Sequence, residues 1–200
     1  MGRADELEQE VLRHKSLYYS GNPEIPDHIY DKLESELRGL RPDSYVLSLV
    51  GTTKTGGKKV KHDKKMLSLN KTYLLEDLLS WKADHEIVST FKIDGTSCSL
   101  IYEDAHMTLA KTRGDGTLGE DITQKVKWIT TVPKDLANSE IERFEVRGEI
   151  FCTEEDFFHL SKEMVARGLE KPTSQRNIVA GLLGRKENID LCSYLSFKAI

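Results

Sequence analysis

Apolar positions along the first forty residues recur at helical spacing. Leu7, Val11, His14 and Tyr18 fall on one face of a stretch that predicts a helix over 4–20. Gly21, Pro23 and Pro26 in "SGNPEIPD" break it. Asp27 then stands where an N-cap belongs, ahead of a second stripe made by Ile29, Leu33, Leu37 and Leu40. Two such helices form a hairpin too small to bury much core by itself, so it is expected to pack on something else or swing on a hinge. Residues 41–65 carry Gly51, Gly56, Gly57 and scattered Thr and Lys, the pattern of a loop with one short strand at 46–50. "MLSLNKTYLLEDLLSWKADHE" follows as a strand or turn and then a helix bearing Leu74, Leu75, Leu78 and Trp81.

From residue 87 the period falls to two. "IVSTFKIDG", "TSCSLIYE", "MTLAKTRGD" and "FEVRGEIF" are short and rich in β-branched or aromatic residues, with "EDAH" polar enough for a hairpin turn between the second and third. "GEDITQKVKWITTVP" and "EEDFFHLSKEMVARG" read as helices. Strand hairpins mixed with helices, without strict alternation, predict an α+β fold rather than a doubly wound one.

Composition narrows the class. The chain has 200 residues, 38% hydrophobic and 31% charged, which suits one or two globular domains. No apolar run approaches the roughly 18 residues of a membrane span, and "MGRADELEQE" lacks the apolar stretch of a signal peptide. Cys98, Cys152 and Cys192 are odd in number and far apart, neither a disulfide framework nor a zinc pattern. Buried thiols in a reducing compartment are expected, hence a cytoplasmic protein, and no metal-ligating cluster is expected. The net charge of −4 makes no overall basic field. The run "KKVKHDKK" over 58–65 stands against that background, and by itself it reads as a solvated loop.

Candidate chemistry centres on "FKIDGT". On a strand, residues two apart face the same way, so Lys92 and Asp94 share one side while Phe91 and Ile93 face the core. Gly95 permits close approach of backbone or ligand. In "FEVRGEIF", Phe144, Val146 and Ile150 share one face, and Glu145, Arg147 and Glu149 the other. A lysine amine is a nucleophile only after losing a proton. With a reference pKa of about 10.4, it needs nearby cations, a metal or desolvation to do so at neutral pH. Asp94 alone works against this, unless it holds a sugar hydroxyl or a magnesium ion. In "TRGDGTLGED", Gly114, Gly116 and Gly119 match the dinucleotide spacing G-x-G-x-x-G. The flanking hairpin and the acids Asp115, Glu120 and Asp121 exclude that reading, while Arg113 at the strand end suits an anion. His14 and His62 are expected to be packing or surface residues.

Together, Lys-x-Asp-Gly, "TRGDGTLGEDIT", "EVRGEIF" and "QRNIVAGLL" occur in the order and spacing of NAD-dependent DNA ligases. "YYSGNPEIPDHIYDKL" resembles the helical cap of that family, and "VKHDKKMLSLNKTY" its connector. The resemblance covers nearly the whole chain. It implies a helical NAD-recognition domain at 1–45, a linker at 46–65, and at 66–200 a C-terminally incomplete adenylation domain of the nucleotidyltransferase, ATP-grasp-like antiparallel type. It implies Lys92 as the nucleophile that takes AMP from NAD, with magnesium as the metal. Asp94 and Glu149 would serve the ribose and the metal-assisted phosphate chemistry, Arg113 the sugar and Arg176 a phosphate. Ser68, Leu69, Thr90 and Gly95 would also line the nucleotide. Tyr18, Tyr19, Asp27, Tyr30 and Asp31 would grip the nicotinamide half. The implied partners are NAD and nicked DNA, the latter through regions largely absent here; no membrane is implied, and a monomer is expected.

Two positions depart from the family. Thr90 stands where the family usually has a glutamate that meets the adenine, and Gly184 where it has an arginine, with Arg185 one place later. The chain also ends at "LSFKAI", before the two later lysine-bearing strands of the family. Two rival readings remain: a nucleotidyltransferase using ATP or GTP, and a catalytically inactive NAD-binding remnant.

Overall fold

The computed structural model describes residues 2–19, 23–49, 57–137 and 142–200. Helix α1 (Arg3–Tyr19) packs against α2 (Asp27–Leu40), and the short α3 (Tyr45–Ser48) closes over them. Leu7, Val11, Leu37 and Val46 are fully buried between the three, with Tyr30, Leu33 and Leu47 against them. The predicted stripes of the two long helices therefore meet each other, although Leu40 runs out into solvent. Residues 46–50 were expected to hold a strand. A helical turn occupies 45–48 instead, because Ser44 Oγ accepts from the Val46 N–H and caps it. Asp27 does not cap α2: the cap position is Pro26, and Asp27 is the first helical residue, where a carboxylate favours the positive end of the helix dipole.

A four-stranded antiparallel sheet forms the second body. Its strands are β2 (Thr96–Glu103), β3 (His106–Thr112), β5 (Arg143–Phe151) and β6 (Ser196–Ala199), in the order β3-β2-β5-β6. A two-stranded ribbon of β1 (Lys59–Lys61) and β4 (Leu118–Glu120) lies beside it. "EDAH" makes the predicted hairpin, with Asp104 and Ala105 at φ +48° and +67°, both positive as a two-residue turn of the I′ kind requires. The β2 register brings Leu100 opposite Val146, and Cys98, Leu100, Tyr102 and Ile150 turn to a common buried face. Tyr102 stacks on Phe144 with centroids 5.0 Å apart.

Helices α6 (Glu154–Ala166) and α7 (Gln175–Gly184), a 3₁₀ turn over Ile189–Tyr194 and the small α5 (Thr123–Val126) cover that face through Leu160, Met164, Val179, Leu182, Leu191 and Val126. The helix expected over "GEDITQKVKWITTVP" shrinks to α5, because its first residues pair as β4 and Gly119 sits opposite Val60.

Helix α4 (Leu75–Lys82) forms where predicted, yet buries no residue: Leu75, Leu78, Leu79 and Trp81 are all exposed. The larger correction lies just before β2. Residues 85–94 are irregular rather than a strand, and Phe91, expected in the core, is 97% exposed. The cause is a missing neighbour. Pairing of β2 begins at Thr96 opposite Ile150; β5 ends at Phe151, and Thr153 caps α6 immediately after. Among the described residues no backbone lies alongside 91–94 to complete a ladder.

Candidate active site

The charged face of β5 and the polar positions of β2 meet on the side of the sheet opposite the core. Register sets Ser97 against Glu149, Ser99 against Arg147 and Ile101 against Glu145. Glu149 is held on both oxygens: Oε1 accepts from the Gly95 N–H at 3.1 Å and Oε2 from the Ser97 hydroxyl at 2.6 Å. Burial raises its pKa, while those two bonds and the charges of Arg113 and Lys92 oppose the rise. Gly95 is required at this point, because a Cβ there would lie 2.0 Å from the Ile150 carbonyl oxygen.

Lys92 is exposed on the irregular segment before β2, within electrostatic reach of both Asp94 and Glu149. The Asp94 carboxyl is pushed up by burial; Lys92 opposes that shift and Asp27 adds to it. Asp27 therefore lies within electrostatic reach of Asp94, which brings the start of α2 towards the site. Arg176, in the first turn of α7, makes the second link. Its Nε sits 3.3 Å from Asp94 Oδ1, and its guanidinium lies 3.9 Å from the centre of the Tyr18 ring. Burial pulls Arg176 down to about 10, and the group remains cationic at neutral pH.

Arg113 follows β3, and its charge reaches both Glu149 and Lys15. Lys15 is a largely buried amine on α1 that donates to the carbonyls of Val46 and Leu49 at 2.9 and 2.7 Å. The turn after Arg113 is not a phosphate loop. Gly114 has φ +57°, and Asp115 Oδ1 accepts from the Thr117 and Leu118 N–H groups, so the segment folds back as a tight turn into β4 instead of opening a helix.

Of the residues singled out from sequence, Lys92, Asp94, Gly95, Arg113, Glu149, Arg176, Tyr18 and Asp27 come together. Others lie apart. Tyr30 packs on the helical core, with its hydroxyl 3.4 Å from Glu34 Oε1. Asp31 accepts from Lys71 Nζ and from the Tyr73 hydroxyl, both at 2.8 Å, and faces the connector. Ser68, Leu69 and Thr90 are exposed on irregular backbone. Tyr19 ends α1, and its side chain lies outside the described set.

Sequence reasoning missed Ser97, which orients Glu149, and the pair Ser99–Glu145 at 2.6 Å. Alternation was the available signal, since Ser97 and Ser99 flank the buried Cys98 two residues apart on β2. It also missed Lys111, which is 1% exposed and donates to the Lys61 carbonyl at 3.1 Å. Arg147 does not face the cleft freely: its Nη1 and Nη2 donate to the carbonyls of Lys65 and Lys64 at 3.0 and 2.6 Å. Among the described residues no group of three His, Cys, Asp or Glu side chains could hold a metal ion.

Comparison with known proteins adds a family. Residues 55–194 match the model of the NAD-dependent DNA ligase adenylation domain. A DNA ligase of Petrotoga mobilis is 39% identical over 199 residues, covering 90% of this chain and 30% of that protein. DNA ligases of Acetivibrio thermocellus and Endomicrobium trichonymphae are 38% and 36% identical, over 89% and 92% of the chain and 29% and 30% of theirs. The chain thus spans about 30% of the length of the curated relatives it matches.

Proposed function

The chain belongs to the family of NAD-dependent DNA ligase adenylation domains, and from that premise we propose that it performs the first step of nick sealing, transfer of AMP from NAD to Lys92. The Nζ of Lys92, as a free amine once its proton has passed to solvent, attacks the phosphorus on the adenosine side. A P–N bond forms, the pyrophosphate P–O bond breaks, and nicotinamide mononucleotide leaves with the electron pair on its phosphate oxygen. The AMP then passes to a nicked DNA end.

The observation that supports this most is the gathering of Lys92, Asp94, Arg113 and Glu149 around Gly95, with Glu149 already oriented by Ser97. Arg113 and Arg176 supply cations where phosphate charge would develop, and arginine suits planar recognition of phosphate. Asp94 and Glu149 would accept ribose hydroxyls. The family resemblance would add Ser68, Leu69 and Thr90 on the nucleotide side, although they stand exposed and apart from this cluster. Tyr18, Tyr19 and Asp27 would take the nicotinamide half, with the ring of Tyr18 offering a stacking face; Tyr30 and Asp31 would join them only by giving up their contacts with Glu34, Lys71 and Tyr73. On this reading residues 1–45 recognise NAD, 46–65 connect, and 66–200 carry the adenylation chemistry in a monomeric cytoplasmic protein. Magnesium would ride chiefly on the substrate's phosphates, its ordinary mode. The described carboxylates form no cage for it.

Intact-protein mass spectrometry after incubation with NAD and magnesium tests the reading. The chain should gain the mass of one AMP, and Lys92→Ala should gain none. A gain that survives in the variant would transfer the role to another residue, and no gain in either would remove the activity from this chain.

A further inference from the structure

His62 directly follows β1 and takes no part in the chemistry above, yet it is 3% exposed and its ring makes specific polar contacts. Nε2 lies 3.0 Å from the Thr112 carbonyl oxygen and 3.2 Å from that of Arg113. Two acceptors on one nitrogen make Nε2 the protonated position of the ring, and the buried Nδ1 has no hydrogen-bond partner among the described residues. Burial and the charge of Lys111 lower the pKa of the ring, which keeps it in that neutral form. Packing alone asks for no donor at this point. The two carbonyls belong to the place where β3 gives way to the turn into β4, and Arg113 stands at its start. The Arg113 backbone is held on both sides. Its N–H donates to the Ser97 carbonyl at 2.9 Å, and its own carbonyl accepts from the Gly116 N–H at 3.0 Å as well as from His62. Ser97 is also the residue whose hydroxyl holds Glu149 Oε2. Arg113 and Glu149 are thus both tied to one residue of β2. His62 closes the frame from the other side, and it is itself anchored there, its N–H donating to the Thr117 carbonyl at 2.9 Å.

We infer that His62 is a positioning residue for the adenylation step: its Nε2–H, through the carbonyls of Thr112 and Arg113, fixes the backbone from which the Arg113 side chain reaches the site. It acts through Arg113 and needs no contact with the nucleotide. A cation that meets developing phosphate charge contributes most when its place is set beforehand. A guanidinium on a long side chain gains that only from a fixed base. What Arg113 does in the reaction rests on the adenylation reading; the tie itself rests on the two contacts.

The test compares His62→Gln, whose amide places an N–H where Nε2–H stands, with His62→Leu, which fills the space without a donor. AMP loading at limiting NAD is followed by intact-protein mass spectrometry on the full chain, with the melting temperature of each protein alongside. His62→Leu should load on the order of 10- to 100-fold more slowly than the parent, the scale on which small misplacements act. His62→Gln should recover most of the rate. In an Arg113→Lys background, His62→Leu should add less than about a twofold loss, because the residue it positions is already altered. Equal loss in both His62 variants, a full multiplicative loss in that background, or no loss in His62→Leu each overturns the inference. The side-chain Nε–H resonance of Arg113, identified by its disappearance in Arg113→Lys, reads the tie without activity. His62→Leu should shift it and His62→Gln should not; an unshifted resonance in His62→Leu overturns the tie. If no protein loads AMP while His62→Leu still shifts the resonance, the adenylation reading falls and the tie stands. Should His62→Leu fail to fold, His62→Asn, whose amide is too short for either carbonyl, takes its place.

Discussion

Glu149 is a half-buried carboxylate in company with two cations, and its desolvation outweighs them. Its folded value is raised above that of an unfolded glutamate. The stability linked to it is therefore full below the unfolded pKa and is lost as pH rises through the raised folded one. Glu149→Gln removes that loss. The variant should melt higher than the parent at neutral pH, and the difference should shrink to nothing below the ordinary glutamate range, about pH 4.3. Melting curves across pH would check it, and a constant difference would point to altered hydrogen bonding instead. At this scale much of the site was legible, since Lys92, Asp94 and Glu149 stand out by type and spacing. Ser97 was not, because a serine in a strand is ordinary until the register sets it opposite Glu149.

Elements place these side chains, and α7 places Arg176. Its first turn is capped by Ser174, whose Oγ accepts from the Asn177 N–H at 3.2 Å. Ser174→Ala should cost about 1 kcal/mol, or a fall of about 2–4 °C in melting temperature for a chain of this size. It should also lower AMP loading, because Arg176 sits two residues beyond the cap. An unchanged melting point would mean that the cap is replaced by water. The elements that formed as expected are those whose period and partner agree: α1, α2, β2, β3, β5 and α6. Residues 85–94 look like a strand locally, with Ile87, Val88 and Phe91, yet a strand needs a neighbour, and β5 stops at Phe151. Helix α4 shows the converse, a correct helix whose apolar face meets nothing among the described residues.

The whole molecule is joined at the candidate site. Tyr18 comes from the helical body, Arg176 and Asp94 from the sheet body, and the guanidinium lies between them. A cation on an aromatic face contributes about 0.5–2 kcal/mol, so Tyr18→Leu should slow AMP loading at limiting NAD by roughly 2- to 30-fold. Tyr18→Phe keeps the ring face and should restore most of the rate. Equal loss in both variants would assign the effect to the hydroxyl. No helix among the described residues is long and apolar enough to cross a membrane.

The sequence by itself determined the helical pair, the hairpin turn at "EDAH", the polar and apolar faces of β5, and the family motifs. These depend on residue type and on spacing within one element, where side-chain period and backbone preference act over a few residues. Tertiary structure alone decided which candidates meet. It drew Tyr18 and Asp94 to Arg176, brought Asp27 within electrostatic reach of Asp94, turned Asp31 towards Lys71 and Tyr73, and pinned the lysine run through Arg147. Those contacts join residues far apart in the chain, and their partners are fixed by strand register and helix docking, which no local pattern encodes.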